Sequence, residues 1–150
     1  VGPPEPVPPI LPIAVEAAMG ERSHFSIFGD DSPTRDGTCI RDYVHVNDLA
    51  RAHILALTHT PELGRHVFNL GTGAPLSVKQ ILDKVDEVSG AKIQRQVNPR
   101  REGDAISLYA AATKANRVLN WKPKHTDISF AVENVISYVK KKASRATPGH

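Results

Sequence analysis

Ser77-Val78-Lys79-Gln80 opens the segment that most limits what this chain can become. The serine hydroxyl and the glutamine amide satisfy each other's orphan backbone donors, a capping box that starts a helix. Val78, Ile81, Leu82, Val85 and Val88 follow at helical spacing, and Gly90 stops the run. A helix with one apolar face must bury it against another layer. Strand-type segments flank it. Residues 67–70 come before, ended by Gly71-Thr72-Gly73, and residues 92–97 alternate after it like a half-exposed strand. A chain that alternates strands with helices folds as α/β or α+β.

The remaining segments fit that scheme. Five prolines fall within residues 1–9, so that stretch is extended or disordered. A helix is expected from about Pro12, with Ile13, Ala14, Val15, Ala17 and Ala18 apolar on most sides and Gly20 as its stop; it should be well buried. Residues 24–29 alternate and read as a strand. The Asp/Pro/Gly-rich residues 30–38 read as a loop, and residues 40–46 as a second extended segment. Asn47 or Asp48 should cap a helix to about Thr58, and Thr113 a short helix to Leu119. The last helix starts near Asp127. It carries Ile128, Ala131, Val132, Val135, Ile136 and Val139 on one face and three lysines, Lys140 to Lys142, at its negative end. Domain boundaries follow: 1–9 a proline-rich end, 10–142 the folded domain, 143–150 a frayed tail.

Composition narrows the function classes. At 150 residues, 40% hydrophobic and 23% charged, the chain can bury a core of its own. No apolar run reaches the roughly 20 residues that cross a bilayer, so no membrane partner is expected. The start has no basic n-region and no A-x-A site, which leaves the cytoplasm as the expected location. One cysteine, Cys39, fits a reducing compartment. The net charge of +3 is mild and aromatics are 5%, so no nucleic-acid partner is expected.

Several motifs could carry chemistry. The seven histidines form no i, i+4 helical pair and have no partner cysteines, so no metal site is expected. Gly71-Thr72-Gly73 lacks the third glycine of a dinucleotide fingerprint, with Pro75 and Leu76 in its place, and reads as a tight turn. Tyr138 and Lys142 have the Tyr-x-x-x-Lys spacing that lowers a catalytic phenol's pKa, but a lysine-rich helix end produces the same string. Two arginine-acid groups matter more: Arg41-Asp42-Tyr43 and Arg100-Arg101-Glu102-Gly103-Asp104. Arginine binds phosphate bidentately and a neighbouring aspartate accepts from ribose hydroxyls; the same groups also suit two surface ion pairs.

Longer strings decide between these readings. IFGDDSPTRDGTCIRDYVHVNDLA (residues 27–50) resembles the UDP-glucose 4-epimerase family. FNLGTG (68–73), the Ser77-Val78 helix start, PRREGDA (99–105), Thr113-Lys114-Ala115 and Leu119-Asn120-Trp121 follow in the family's order. The resemblance covers about residues 10–142 and is specific to the carboxyl-terminal part of that family.

The resemblance implies an α/β fold: the carboxyl-terminal substrate-binding part of an extended short-chain dehydrogenase, with the Rossmann half missing. The family interconverts UDP-glucose and UDP-galactose by transient oxidation at sugar C4 with NAD. Its amino-terminal half holds NAD and the catalytic Tyr-x-x-x-Lys, so no catalytic residue and no bound cofactor are expected in this chain. By resemblance, Ser26, Ile27 and Phe28 lie along the uracil through their backbone, and Arg41 and Arg101 hold the pyrophosphate. Glu102, Gly103 and Asp104 lie at the nucleotide, and Leu108 sits at the sugar end. Pro9 stands where the family has a nucleotide-contacting asparagine or histidine, and it has no amide donor. The expected partners are a UDP-sugar and either the missing Rossmann half or a second copy. The alternatives are a non-catalytic nucleotide-sugar-binding module and a truncated, inactive fragment.

Overall fold

The computed structural model describes residues 9–59 and 64–146. Within them lie five helices and five short strands in the order α1 (Ile10–Ala18), β1 (Phe25–Phe28), β2 (Ile40–Arg41), α2 (Val46–His59), β3 (Leu76–Ser77), α3 (Val78–Ser89), β4 (Arg95–Asn98), β5 (Ser107–Leu108), α4 (Thr113–Leu119) and α5 (Ile128–Ala146). β1 pairs with β4 in parallel, Phe25 opposite Arg95 and Phe28 opposite Asn98. β2 lies between β3, antiparallel, and β5, parallel.

The capped helix is the centre of the larger core. Ser77 accepts from Gln80 N–H while Gln80 accepts from Ser77 N–H, and Gly90 closes the far end at φ 71°. Ile81, Leu82 and Val85 are fully buried against α1, β1 and the α5 face carrying Ile128, Val132 and Val139. Burying each such side chain contributes roughly 1.5 to 3 kcal/mol. A smaller cluster joins Ala52 of α2 to Ala115, Leu119 and Trp121. The Trp121 indole N–H donates to the Asp48 carbonyl at 2.8 Å, so this buried ring has its polar atom satisfied.

Several expectations change. Residues 40–46 form only the two-residue β2, and residues 67–70 form no strand. Phe68 and Leu70 instead pack on the Trp121 cluster, without a ladder partner. α2 begins at Val46, so neither Asn47 nor Asp48 caps it. His45 does: its Nδ1 accepts from Asn47 N–H at 3.1 Å and its carbonyl from Asp48 and Leu49 N–H. Thr113 lies inside α4 and makes no cap bond. In α1 only Ala14 and Val15 are fully buried; Ile10 and Ile13 are half-buried, packing against the core while also lining a cavity. The last helix starts beside Asp127 as expected, and Asp127 accepts from Ser129 N–H at the start of α5.

Residues 143–146 of the expected tail are helical. α5 runs on to Ala146, because lysine, alanine and arginine are good helix formers and nothing there breaks the ladder. Residues 147–150 of the expected tail, and residues 1–8 of the proline-rich end, lie outside the described residues. Pro9 is extended, at φ −60° and ψ 142°, directly before α1. No helix among the described residues is long and apolar enough to cross a membrane.

Candidate functional site

A cavity of about 790 Å³ opens between α1, β1, β2 and the segment after β4. β1 forms one wall. Its N–H groups at Phe25 and its successor Gly29 bond to Gln94 and Asn98 carbonyls on the β4 side. Backbone groups of alternate residues point to opposite edges of a strand, so the N–H and C=O of Ser26 and Phe28 face the other edge. No strand among the described residues pairs with that edge. It offers a planar heterocycle a row of donors and acceptors.

The residues around β2 form a second wall. Cys39, Arg41 and Tyr43 line the cavity, while Asp42 between them points away and binds Thr72. The alternation of an extended chain explains the division. Arg41 donates to the Ile40 carbonyl at 2.8 Å, and no carboxylate among the described residues forms an ion pair with it. Its charge is therefore uncancelled at the cavity. Burial holds the Tyr43 phenol above its ordinary range, partly offset by Arg41.

The third wall follows β4, where the two adjacent arginines separate. Arg100 bonds Asp31 at 3.1 Å and Ser32 Oγ at 3.3 Å, pinning the loop of residues 30–38; its hydrogen bond to Asp31 lowers that carboxyl's pKa. Arg101 turns into the cavity. Its Nε donates to Asp104 Oδ2 at 2.9 Å, leaving its terminal nitrogens for a ligand.

Six of the nine expected site residues thus share one cavity: Ser26, Ile27, Phe28, Arg41, Arg101 and Asp104. The other three are not in its lining. Glu102 is exposed, Gly103 makes the turn at φ 83° that brings Asp104 back to Arg101, and Leu108 is 63% exposed on β5. Leu108 is nonetheless opposite Arg41 in the β2–β5 register, so it stands beside that wall. Cys39 and Tyr43 also line the cavity and are not among the nine. The period-two spacing of residues 39, 41 and 43 is the signal that could have found them.

The other motifs resolve differently. Asp42 accepts from Thr72 N–H at 2.7 Å and from its hydroxyl. A Cβ on Gly71 would lie 2.2 Å from the Ala110 carbonyl, so the glycine is there for a close backbone approach. Tyr138 is 66% exposed on α5, outside the cavity lining. Among the described residues, no three histidine, cysteine, aspartate or glutamate side chains gather as a metal site.

The sequence profile described as GDP-mannose 4,6 dehydratase matches residues 4–133. UDP-glucose 4-epimerase from Corynebacterium glutamicum is 44% identical over 138 residues, 91% of this chain and 42% of the relative. The enzyme of the same name from Halalkalibacterium halodurans is 43% identical over 133 residues, 88% of this chain and 40% of the relative. The crystal structure of UDP-glucose 4-epimerase from Bifidobacterium longum, in complex with NAD+ and UDP, superposes with a TM-score of 0.85 at 35% identity, covering 91% of this chain and 41% of that one. The chain therefore spans about two fifths of the length of the relatives it matches.

Proposed function

This chain belongs to the GDP-mannose 4,6 dehydratase family, with UDP-glucose 4-epimerases as its relatives, and from that premise we propose that it forms the UDP-sugar site of such an epimerase. The observation that carries the reading is the meeting of an open strand edge with two arginines in one cavity. The edge at Ser26 and Phe28 suits the uracil, whose rim alternates acceptors and a donor. Arg41 and Arg101 suit the pyrophosphate, and Asp104 the ribose hydroxyls. Glu102 and Gly103 shape the same turn, and Leu108 borders the sugar.

The reaction would interconvert UDP-glucose and UDP-galactose, NAD accepting and returning the C4 hydride. The Gly71-Thr72-Gly73 turn does not suit the pyrophosphate of NAD. Thr72 N–H and hydroxyl in the Gly71-Thr72-Gly73 turn are taken by Asp42, whose negative charge opposes a pyrophosphate there. A Rossmann half carrying the cofactor loop and the catalytic tyrosine is the partner this reading requires. The role of this chain is to anchor the charged end of the substrate far from the reacting carbon, so that the sugar can turn over while UDP stays bound.

Calorimetric titration tests the reading. The protein should bind UDP, and UDP far more tightly than uridine; equal affinities would remove the pyrophosphate role of the arginines. The 150-residue chain by itself, given NAD and UDP-galactose, should show no turnover; product formation would overturn the division of labour.

A further inference from the structure

Phe28 ends β1 and is 38% exposed, although its strand neighbours Phe25 and Ile27 are buried. An aromatic ring left this open at a cavity wall has a partner. The Arg101 guanidinium lies over its face, with Cζ 4.4 Å from the ring centroid. The parallel register explains the meeting. Phe28 is opposite Asn98, so both strands leave the sheet at the same end and Arg101 follows just beyond. Arg100, committed to Asp31 and Ser32, fixes the direction in which its neighbour must project. Asp104 takes Arg101 Nε from the side, and the turn at Gly103 makes that bond possible.

We propose that the Phe28 ring is a positioning platform for Arg101. It holds the guanidinium flat against the cavity wall, with its terminal nitrogens presented to the anionic end of the ligand. This assignment rests on the UDP reading for the identity of that anion. A free arginine loses much rotamer freedom when it binds phosphate. A guanidinium already stacked on a ring and tied at Nε has lost it before the ligand arrives. The backbone of Phe28 and its side chain then have separate duties, the first toward the base and the second toward the arginine.

The experiment uses the intact protein, the single variants Phe28→Leu, Phe28→Tyr and Arg101→Met, and the Phe28→Leu/Arg101→Met double variant, with UDP and uridine as ligands. Phe28→Leu should weaken UDP binding by about 3- to 10-fold and leave uridine affinity within about 2-fold. Phe28→Tyr keeps the ring and should restore UDP binding. In an Arg101→Met background, Phe28→Leu should have no further effect on UDP. Equal losses for UDP and uridine would place the ring at the nucleoside and overturn the proposal. A ligand-free measurement separates this from the UDP reading. With arginine labelled by 15N, the Arg101 Nε–H resonance should move downfield in Phe28→Leu, as the shielding of the ring is lost, and stay in place in Phe28→Tyr. An unmoved resonance in Phe28→Leu overturns the platform even if UDP binds; a moved resonance without UDP binding supports the platform and rejects the UDP reading.

Discussion

The Asp48 carboxylate accepts the backbone N–H of His125 at 2.9 Å, joining the first turn of α2 to the loop before α5. It also takes Lys124 N–H at 3.0 and 3.1 Å and pairs with Arg51 at 2.8 Å, while its side chain is 0% exposed. Burial alone would raise its pKa, but the N–H groups of His125 and Lys124, with the Arg51 charge, hold it below the ordinary range. Asp48→Ala should destabilise the protein by about 2 to 4 kcal/mol, because two donors and an arginine lose their acceptor. Asp48→Asn keeps one acceptor oxygen and should lose less. Urea unfolding checks both; an alanine variant as stable as the parent would show that water replaces the carboxylate.

His45 should make stability depend on pH. Burial, then the neighbouring His125, hold its imidazole below the ordinary range, with Asp48 opposing. The rings of His45 and His125 are 4.7 Å apart, and Phe130 packs on both. The folded state therefore binds fewer protons than the unfolded one near the usual histidine pKa. The contribution of His45 is complete above about pH 6.5 and is lost as pH falls through the lower, folded value. Protonation also removes the Nδ1 acceptor that caps α2. Thermal midpoints at about pH 7.5 and about pH 5.5 should differ more for the parent than for His45→Asn, which caps without titrating. Equal differences would mean that another group controls the slope.

Arg41→Ala and Arg101→Ala should each weaken UDP binding by about 10- to 100-fold, the loss of one charge-assisted contact to phosphate. Alanine at Lys140, Lys141 or Lys142 should leave it unchanged, since these exposed side chains on α5 are outside the cavity lining. Calorimetry on the five variants decides: if lysine and arginine variants lose affinity alike, binding is a matter of net charge and not of this site.

Ile54 and Leu57 are 61% and 77% exposed on α2, and Val46 is 69% exposed at its start. The 150-residue chain by itself should therefore self-associate. Ile54→Lys with Leu57→Glu should reduce light scattering without lowering the thermal midpoint, because neither side chain is in the core. A monodisperse parent monomer with a sharp transition and no dye-binding surface would instead favour an independent binding module.

Local patterns in the sequence were enough for α3, β1 and the apolar face of α5. Ser77 and Gln80 cap each other within one turn, and Ile128, Val132 and Val139 repeat at helical spacing, so the signal and the structure lie at the same short range. The resemblance named the arginines, but only tertiary structure divided Arg41 from Asp42 and Arg100 from Arg101, sending one of each pair into the cavity and the other to a structural bond. It also withheld a strand from residues 67–70, because a ladder needs a partner that local hydropathy cannot supply. Asp48 shows the reason in one residue. Its local position suits a helix cap, yet its acceptors are claimed by N–H groups at residues 124 and 125, and a hydrogen bond across that separation exists only once the chain has folded.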